Sequence, residues 1–501
     1  MRLSRADFHA SCKGFLRIEF ANQDITAFGG LELLRRYLAL IELGRTVRSV
    51  FARYEVGGDY RAIDMILVIL VLVLVGGRRL EHLNYVCDDP LVKRFCGLLR
   101  LPRERSVSRW LKRFTHKSLM ALVEINSQIV SDALEKQSLG RLTIDIDGSV
   151  ITTGATVEWA YRGFNPHHRK DPSYYPIFAH VAQTGHILRV KNRPGNVHDS
   201  NGAVAFMREL IDDIRVRLGS GVPVEFRMDG AFFQRAIIEL LERRKSRYAI
   251  KVPFMKWLGL VPMIRERQSW HRLRGGMGYF EVSLNVAAWD RRLRVVVYRK
   301  SVHHETKKNF QLDLFDPDNG YYEYSAVTTN LELRAPALWD FMAGRGAQEK
   351  TFAELKGQWA LDAVPTRHYS ANSAWQQIAI LGHNLLRNFQ LQTVATQKPR
   401  SRKRTCGYLL HSLKTIRFKL IHQPARLVKP QGYSVLRFSV APAAQKLIES
   451  IEEKLKAFFH ALEPGLRAFI QAGLSPSLYD FCAPIQATSP ITPSLTIERI
   501  F

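Results

Sequence analysis

Residues 142–147 read LTIDID, an apolar run carrying two carboxylates. Side chains alternate across a strand, so Leu142, Ile144 and Ile146 share one face and Thr143, Asp145 and Asp147 the other. A strand this apolar belongs inside a sheet, and carboxylates on its second face must meet cations or hydrogen-bond donors there. Parity alone leaves open which of the two aspartates would serve a functional cation.

The elements that follow set the topology. In PIFAHVAQTGHILRVK, Thr184-Gly185 turns one strand back on another. AVAFMRELIDDIRVRLG places Val204, Met207, Ile211, Ile214 and Leu218 on one helical stripe. VPVEFRMDG is a second buried strand ending at Asp229, AFFQRAIIELLERRK a helix, and RYAIKV, residues 247–252, another strand. Three strands of antiparallel character, then helix, strand, helix, strand, match the layout of a ribonuclease H-like α/β core. Residues 255–333 read as a β-rich insertion of aromatic, alternating segments bounded by turns. The expected organisation is a helical N-terminal DNA-binding region over 1–135, a core in two parts over 136–254 and 334–392 around that insertion, and a basic helical C-terminal region over 393–501. No internal repeat is evident.

Charge narrows the partners. Lysine plus arginine outnumber aspartate plus glutamate by 73 to 46, a formal +27, which suits a polyanion. Nucleic acid is the first candidate and an anionic membrane surface the second. The most apolar run, MILVILVLVLV from Met65 to Val75, would be about 16 Å long as a helix against a hydrocarbon core of about 30 Å, too short to span. With no signal-peptide stretch in MRLSRADFHASCKGF, a cytoplasmic protein without membrane association is expected. The five cysteines, Cys12, Cys87, Cys96, Cys406 and Cys482, form no C-x-x-C pair and point to reduced thiols, with neither a disulfide frame nor a zinc site. His167/His168 and His303/His304 lack metal-motif spacing and read as surface or phosphate-contacting residues. In LPRERSVSRWLKRF, Val107, Trp110, Leu111 and Phe114 share a helical face, Arg105, Arg109, Lys112 and Arg113 lie elsewhere, and Ser106 is a candidate N-cap. Such a helix can read DNA or simply be amphipathic.

Asp229 ends its strand near the edge where the central strand carries Asp147. On a helix through GRGAQEKTFAELKGQW, Arg345, Glu349 and Lys356 fall at about −40, 0 and −20 degrees, a narrow stripe. Alone it could be a solvated, salt-bridged face. With the two aspartates it offers a third carboxylate, and clustered carboxylates suit hard divalent cations.

The order strand-Asp, strand-Asp, β-rich insertion, helix-Glu resembles the DDE transposases of bacterial insertion sequences, in the insertion sequence 4 clan. That clan's signature is Tyr, two residues, Arg, three residues, Glu, six residues, Lys; this chain has Met342, Arg345, Glu349 and Lys356 at that spacing. The wording DIDGSVI, NRPGNVHDSNGA, RMDGAFF, VTTNL and GHNLLRNF is similar to the insertion sequence 1380 family, over most of the chain and least at its termini. The resemblance implies Asp147, Asp229 and Glu349 as catalytic metal ligands for two Mg²⁺ ions, with Mn²⁺ able to substitute, Asp145 as a supporting residue, and Arg345 and Lys356 as phosphate contacts. It further implies double-stranded DNA partners, both terminal inverted repeats and target, a homodimer on DNA, a bacterial, nucleoid-associated location, and a DNA hairpin intermediate as one route. Methionine at 342 departs from the signature and takes away a hydroxyl expected near the transposon end. Trp257, Trp270 and Trp289 in the insertion are candidates either for stacking on an unpaired base or for core packing. A transposase-derived DNA binder without catalysis is the competing reading; it would keep the charge and lose an acid, whereas all three acids are present.

Overall fold

The computed structural model describes residues 18–20, 24–54, 56–163, 170–198, 200–301, 322–398, 405–462 and 467. Its centre is a mixed sheet of nine strands: β1 (Leu142–Gly148), β2 (Ile177–Val181), β3 (Ile187–Lys191), β4 (Val224–Met228), β5 (Arg247–Val252), β6 (His271–Arg272), β7 (Met277–Val286), β8 (Arg291–Ser301) and β9 (Tyr322–Thr329), ordered β3-β2-β1-β4-β5-β9-β8-β7-β6. The α-helices used below are α1 (Leu31–Leu40), α2 (Leu43–Phe51), α3 (Ala62–Leu74), α4 (Pro90–Cys96), α5 (Glu104–Lys112), α6 (His116–Lys136), α7 (Ala203–Leu218), α8 (Arg235–Arg243), α9 (Leu260–Glu266), α10 (Ala335–Ala343), α11 (Gly346–Trp359), α12 (Tyr369–Thr393) and α13 (Pro442–His460).

The first five strands follow the expected order. β1 pairs antiparallel with β2 (Ile144 opposite Val181, Asp147 opposite Phe178), and β2 with β3 through a turn in which Gly185 takes a φ of 76°. β4 lies parallel to β1, with Arg227 opposite Asp145, and β5 parallel to β4; α7 and α8 supply the crossovers that parallel pairing needs. The β-rich segment is not a separate sheet. β9 pairs antiparallel with β5, and β8, β7 and β6 continue outward, so the segment widens the central sheet. Within that segment α9, with Leu260 and Ile264 buried, was not foreseen.

The parity of β1 divides the interior. Leu142, Ile144 and Ile146 join a core with Phe206, Met207, Ile211 and Ile214 of α7 and Ile237, Ile238 and Leu241 of α8. Thr143, Asp145 and Asp147 face the other way, toward α11, whose Thr351 reaches His180 on β2. There α12 runs through the second core, buried almost throughout from Ala371 to Gln390, beside α3 and α6. A Cβ at Gly382 would stand 2.6 Å from the Trp359 ring, so glycine is what lets α12 lie this close to the end of α11.

The run at Met65–Val75 is the buried helix α3 and its cap, with Asp64 accepting from the Arg61 backbone N–H at 3.2 Å to close the first turn. No helix among the described residues is long and apolar enough to cross a membrane. In α5, Val107, Trp110 and Leu111 are buried as expected. Ser106 is not its cap: the helix starts at Glu104 with Arg103 at the N-cap, because Pro102 ends the extended segment earlier and an acid suits the first turn. The C-terminal region is less helical than expected. Ala425–Val428 pairs with Ile25–Thr26 and with Val435–Phe438, and α13 docks Ile448, Ile451, Leu455 and Phe459 into the same core as the N-terminal helices. Cys87, Cys96 and Cys406 are free thiols; Cys12, Cys482, both histidine pairs and most of KPRSRKR lie outside the described residues.

Buried polar groups lock the β2–β3 hairpin onto α12. The His186 ring lies 2.8 Å from the Thr184 hydroxyl through Nδ1 and 2.6 Å from Asn388 Oδ1 through Nε2, an arrangement a neutral ring satisfies by accepting the first and donating the second. Burial, offset in part by Asn388 and reinforced by the Arg387 charge, pushes its pKa down to about 4. The unfolded chain takes this proton near pH 6.5 and the folded one resists it, so stability is whole above that value and falls as pH drops toward 4. Urea unfolding should reveal a loss on the order of 3 kcal/mol from this group, and His186→Gln should flatten that part of the profile.

Candidate active site

Asp145 and Asp147 share a face and have different surroundings. Asp145 has no exposed surface and neither has Arg227, one strand over in register. The guanidinium donates to both carboxylate oxygens, Nε to Oδ1 at 2.6 Å and Nη2 to Oδ2 at 2.9 Å, and His180 Nδ1 lies 3.3 Å from Oδ2. Burial drives this carboxyl's pKa up, yet the Arg227 charge and the bonds from His180 and Arg227 outweigh it and hold the group below its ordinary value. Its oxygens are thus engaged by protein partners.

Asp147, two residues on, emerges at the sheet edge with its side chain 24% exposed. Asp229 follows the last residue of β4 and is 32% exposed. In each a backbone amide fixes one oxygen: Gly148 N–H donates to Asp147 Oδ1 at 2.9 Å, and Ala231 N–H to Asp229 Oδ1 at 3.1 Å, closing a turn after the strand. Among the described residues, the other two oxygens share a cation. Arg345 Nη2 lies 2.9 Å from Asp147 Oδ2 and 3.8 Å from Asp229 Oδ2, so the two oxygens stand no further apart than the sum of those distances.

Arg345 occupies the junction of α10 and α11 with helical backbone angles. The start of α11 is tied to β1 and β2 at three points: Arg345 Nη2 to Ile146 O at 3.5 Å, Gln348 Nε2 to Asp145 O at 3.4 Å, and the Thr351 hydroxyl to His180 Nε2 at 3.3 Å. Arg227 secures the end of α10 by donating to Phe341 O at 2.7 Å. Glu349, one turn beyond Arg345, is exposed; among the described residues no three His, Cys, Asp or Glu side chains gather closely enough to hold one ion. Lys356 is half-buried two turns further, its pKa lowered by burial against an opposing pull from Asp362. Met342 is buried in a cluster with Tyr298 and Leu338, so this position packs the sheet's extension. Of the tryptophans, Trp270 and Trp289 pack against the core and Trp257 is exposed, its ring centroid 5.8 Å from that of Trp289.

As donors, the two aspartate Oδ2 atoms are hard oxygens already arranged around a positive charge, which fits a divalent ion. The carboxylate of Glu349 is within one helical turn of that point in sequence and free of any described ion pair. Arg227, His180, Gln348 and Thr351 are the support residues that sequence reading missed; the arginine was visible, at the same parity in VPVEFRMDG as Asp229.

A family model, the transposase DDE domain group 1, matches residues 9–459, and the chain belongs to that family. Members of it generally use divalent metal ions. No curated protein matches the chain. Among solved structures it is similar to the piggyBac transposase synaptic complex with hairpin DNA, at 11% identity and a TM-score of 0.41, covering 92% of this chain and 87% of that one. It is also similar to the Mos1 transposase paired-end complex with left transposon end, at 11% identity and a TM-score of 0.17, covering 34% and 56%.

Breaking the buried pair should be costly. Asp145→Asn leaves a sealed guanidinium without its counter-charge and should lower unfolding free energy by roughly 3–5 kcal/mol in denaturant titration, whereas Asp145→Leu combined with Arg227→Met should lose much less.

Proposed function

We propose that the protein is a DDE transposase on a ribonuclease H-like core, of the insertion sequence 1380 type, which cuts DNA at the ends of its element and joins those ends to a target. The observation that carries this reading is the convergence of Asp147 and Asp229, from the edges of adjacent parallel strands, on one cation at the start of the helix bearing Glu349. The strand order β3-β2-β1-β4-β5 supports the ribonuclease H-like assignment.

Asp147, Asp229 and Glu349 would hold two Mg²⁺ ions, for which Mn²⁺ can substitute. Bound there, the metal would supply an activated oxygen nucleophile and a stabilised leaving oxygen for displacement at phosphorus. The chain's residues do the rest. The backbone amides of Gly148 and Ala231 keep the aspartates oriented, so less reorganisation is left for the reaction. Arg345 and Lys356 would hold phosphates beside the acids, and the exposed Arg105, Arg109 and Lys112 of α5 offer a basic surface to the duplex. Water attacks the phosphodiester at the element's end and the 3′-oxygen leaves as a hydroxyl; that hydroxyl then attacks a target phosphodiester at the same centre, expelling the target's own 3′-oxygen. Pairing two ends favours a homodimer on DNA. The presence of all three acids supports an enzyme over a DNA-binding relic.

Cleavage of a labelled duplex carrying the element's end tests this. The wild type should cut it only with Mg²⁺ or Mn²⁺, and Asp147→Asn or Glu349→Gln should bind it normally while cutting more than about a hundredfold more slowly, beyond the usual effect of outer-shell changes. Binding without cutting by the wild type would mean a DNA-binding protein.

A further inference from the structure

We propose that Arg345 is the resident cation of the carboxylate pair: it holds Asp147 and Asp229 together until a divalent ion takes its place, and once displaced it turns to a DNA phosphate. This rests on the metal-dependent reading above and adds a coupling that the reading does not contain.

Three observations support it. First, one guanidinium nitrogen serves both carboxylates, with a close contact to Asp147 Oδ2 at 2.9 Å and a looser one to Asp229 Oδ2 at 3.8 Å. A single positive charge placed between two carboxylates cancels half of their charge, and a divalent ion at the same point would cancel all of it. Second, the oxygens that face Arg345 are those a metal would use, since Oδ1 of each aspartate already accepts a backbone N–H. Arginine and metal therefore compete for the same atoms. Third, Arg345 Nε is buried and has no hydrogen-bond partner among the described residues, and the contact of Nη2 to Ile146 O is long at 3.5 Å. Arg227, by contrast, engages Asp145 through two short bonds and reaches Phe341 O as well. The seat of Arg345 leaves much of its planar fork unused, and a phosphate presents two oxygens at the spacing that fork matches.

Metal binding and phosphate binding become linked through one side chain. A divalent ion releases Arg345 to the DNA, and a phosphate that captures Arg345 clears the carboxylates for the ion; the coupling is the same in either direction.

Mn²⁺ binding to the full chain without DNA, followed by calorimetry, separates this from a fixed ion pair. Arg345→Gln removes the competing charge and should bind Mn²⁺ at least about fivefold more tightly than wild type, with a lower melting temperature in EDTA. Arg345→Lys keeps the charge and should bind Mn²⁺ about as wild type does, which keeps the test open should the glutamine variant fail to fold. Duplex affinity should rise on adding non-cleaving Ca²⁺ in wild type and stay flat in Arg345→Gln. Unchanged or weaker Mn²⁺ binding in Arg345→Gln, with Asp147→Asn abolishing it, would overturn the exchange and leave the metal site standing. If neither wild type nor Arg345→Gln takes up Mn²⁺, the exchange and the metal-dependent function fall together.

Discussion

The site depends on one ion pair that never meets solvent. Asp145 and Arg227 face each other across the parallel junction of β1 and β4, both fully buried, and the cost of desolvating two charges there is offset only because the contact is bidentate and the remaining capacity is used. His180 takes the free side of the carboxylate and passes the contact to Thr351 on α11. Arg227 also holds Phe341 at the end of α10. Three strands and two helices are therefore set against one another by a single network, and all of the candidate site residues except Lys356 lie within a few residues of it.

Polarity changes sharply along the strand. Position 145 is sealed and committed, position 147 is at the edge and partly open, and the same step separates Arg227 on β4 from Asp229 just past its end. One pair of alternating positions fixes the register, and the next pair presents carboxylates to whatever comes to the edge. Continuation of the sheet through β9, β8 and β7 gives this edge a broad backing and buries Met342, the position where the signature of the insertion sequence 4 clan, which the sequence resembles, has an aromatic hydroxyl. Precision at the acids comes from the backbone amides of Gly148 and Ala231, which need no side-chain ordering.

Much of this was legible in the residues. The alternation in LTIDID and VPVEFRMD located β1, β4 and their edge aspartates, and the 3.6-residue period placed α7 and α11. The distinction between Asp145 and Asp147 was not legible from one strand, because parity treats them alike; it required the neighbour that carries Arg227, and strand pairing is a long-range property. For the same reason the strands after residue 270 read as an insertion, with nothing local to say that they would extend the central sheet. The start of α5 was misplaced at Ser106 because a favourable capping residue lay inside a helix whose beginning Pro102 had already determined. The contact of Arg345 with both aspartates was hidden behind its place on the stripe with Glu349 and Lys356, which identified the residue and left its partner unstated.

The most direct measurement is anomalous diffraction from crystals of the protein grown with Mn²⁺. The account predicts an anomalous peak bounded by Asp147 Oδ2 and Asp229 Oδ2, with the Glu349 carboxylate turned toward it, Arg345 moved off the pair, and Asp145 still joined to Arg227. Ordered Mn²⁺ elsewhere with Arg345 still seated between the two aspartates, or Mn²⁺ bound to Asp145 in place of Arg227, would contradict it.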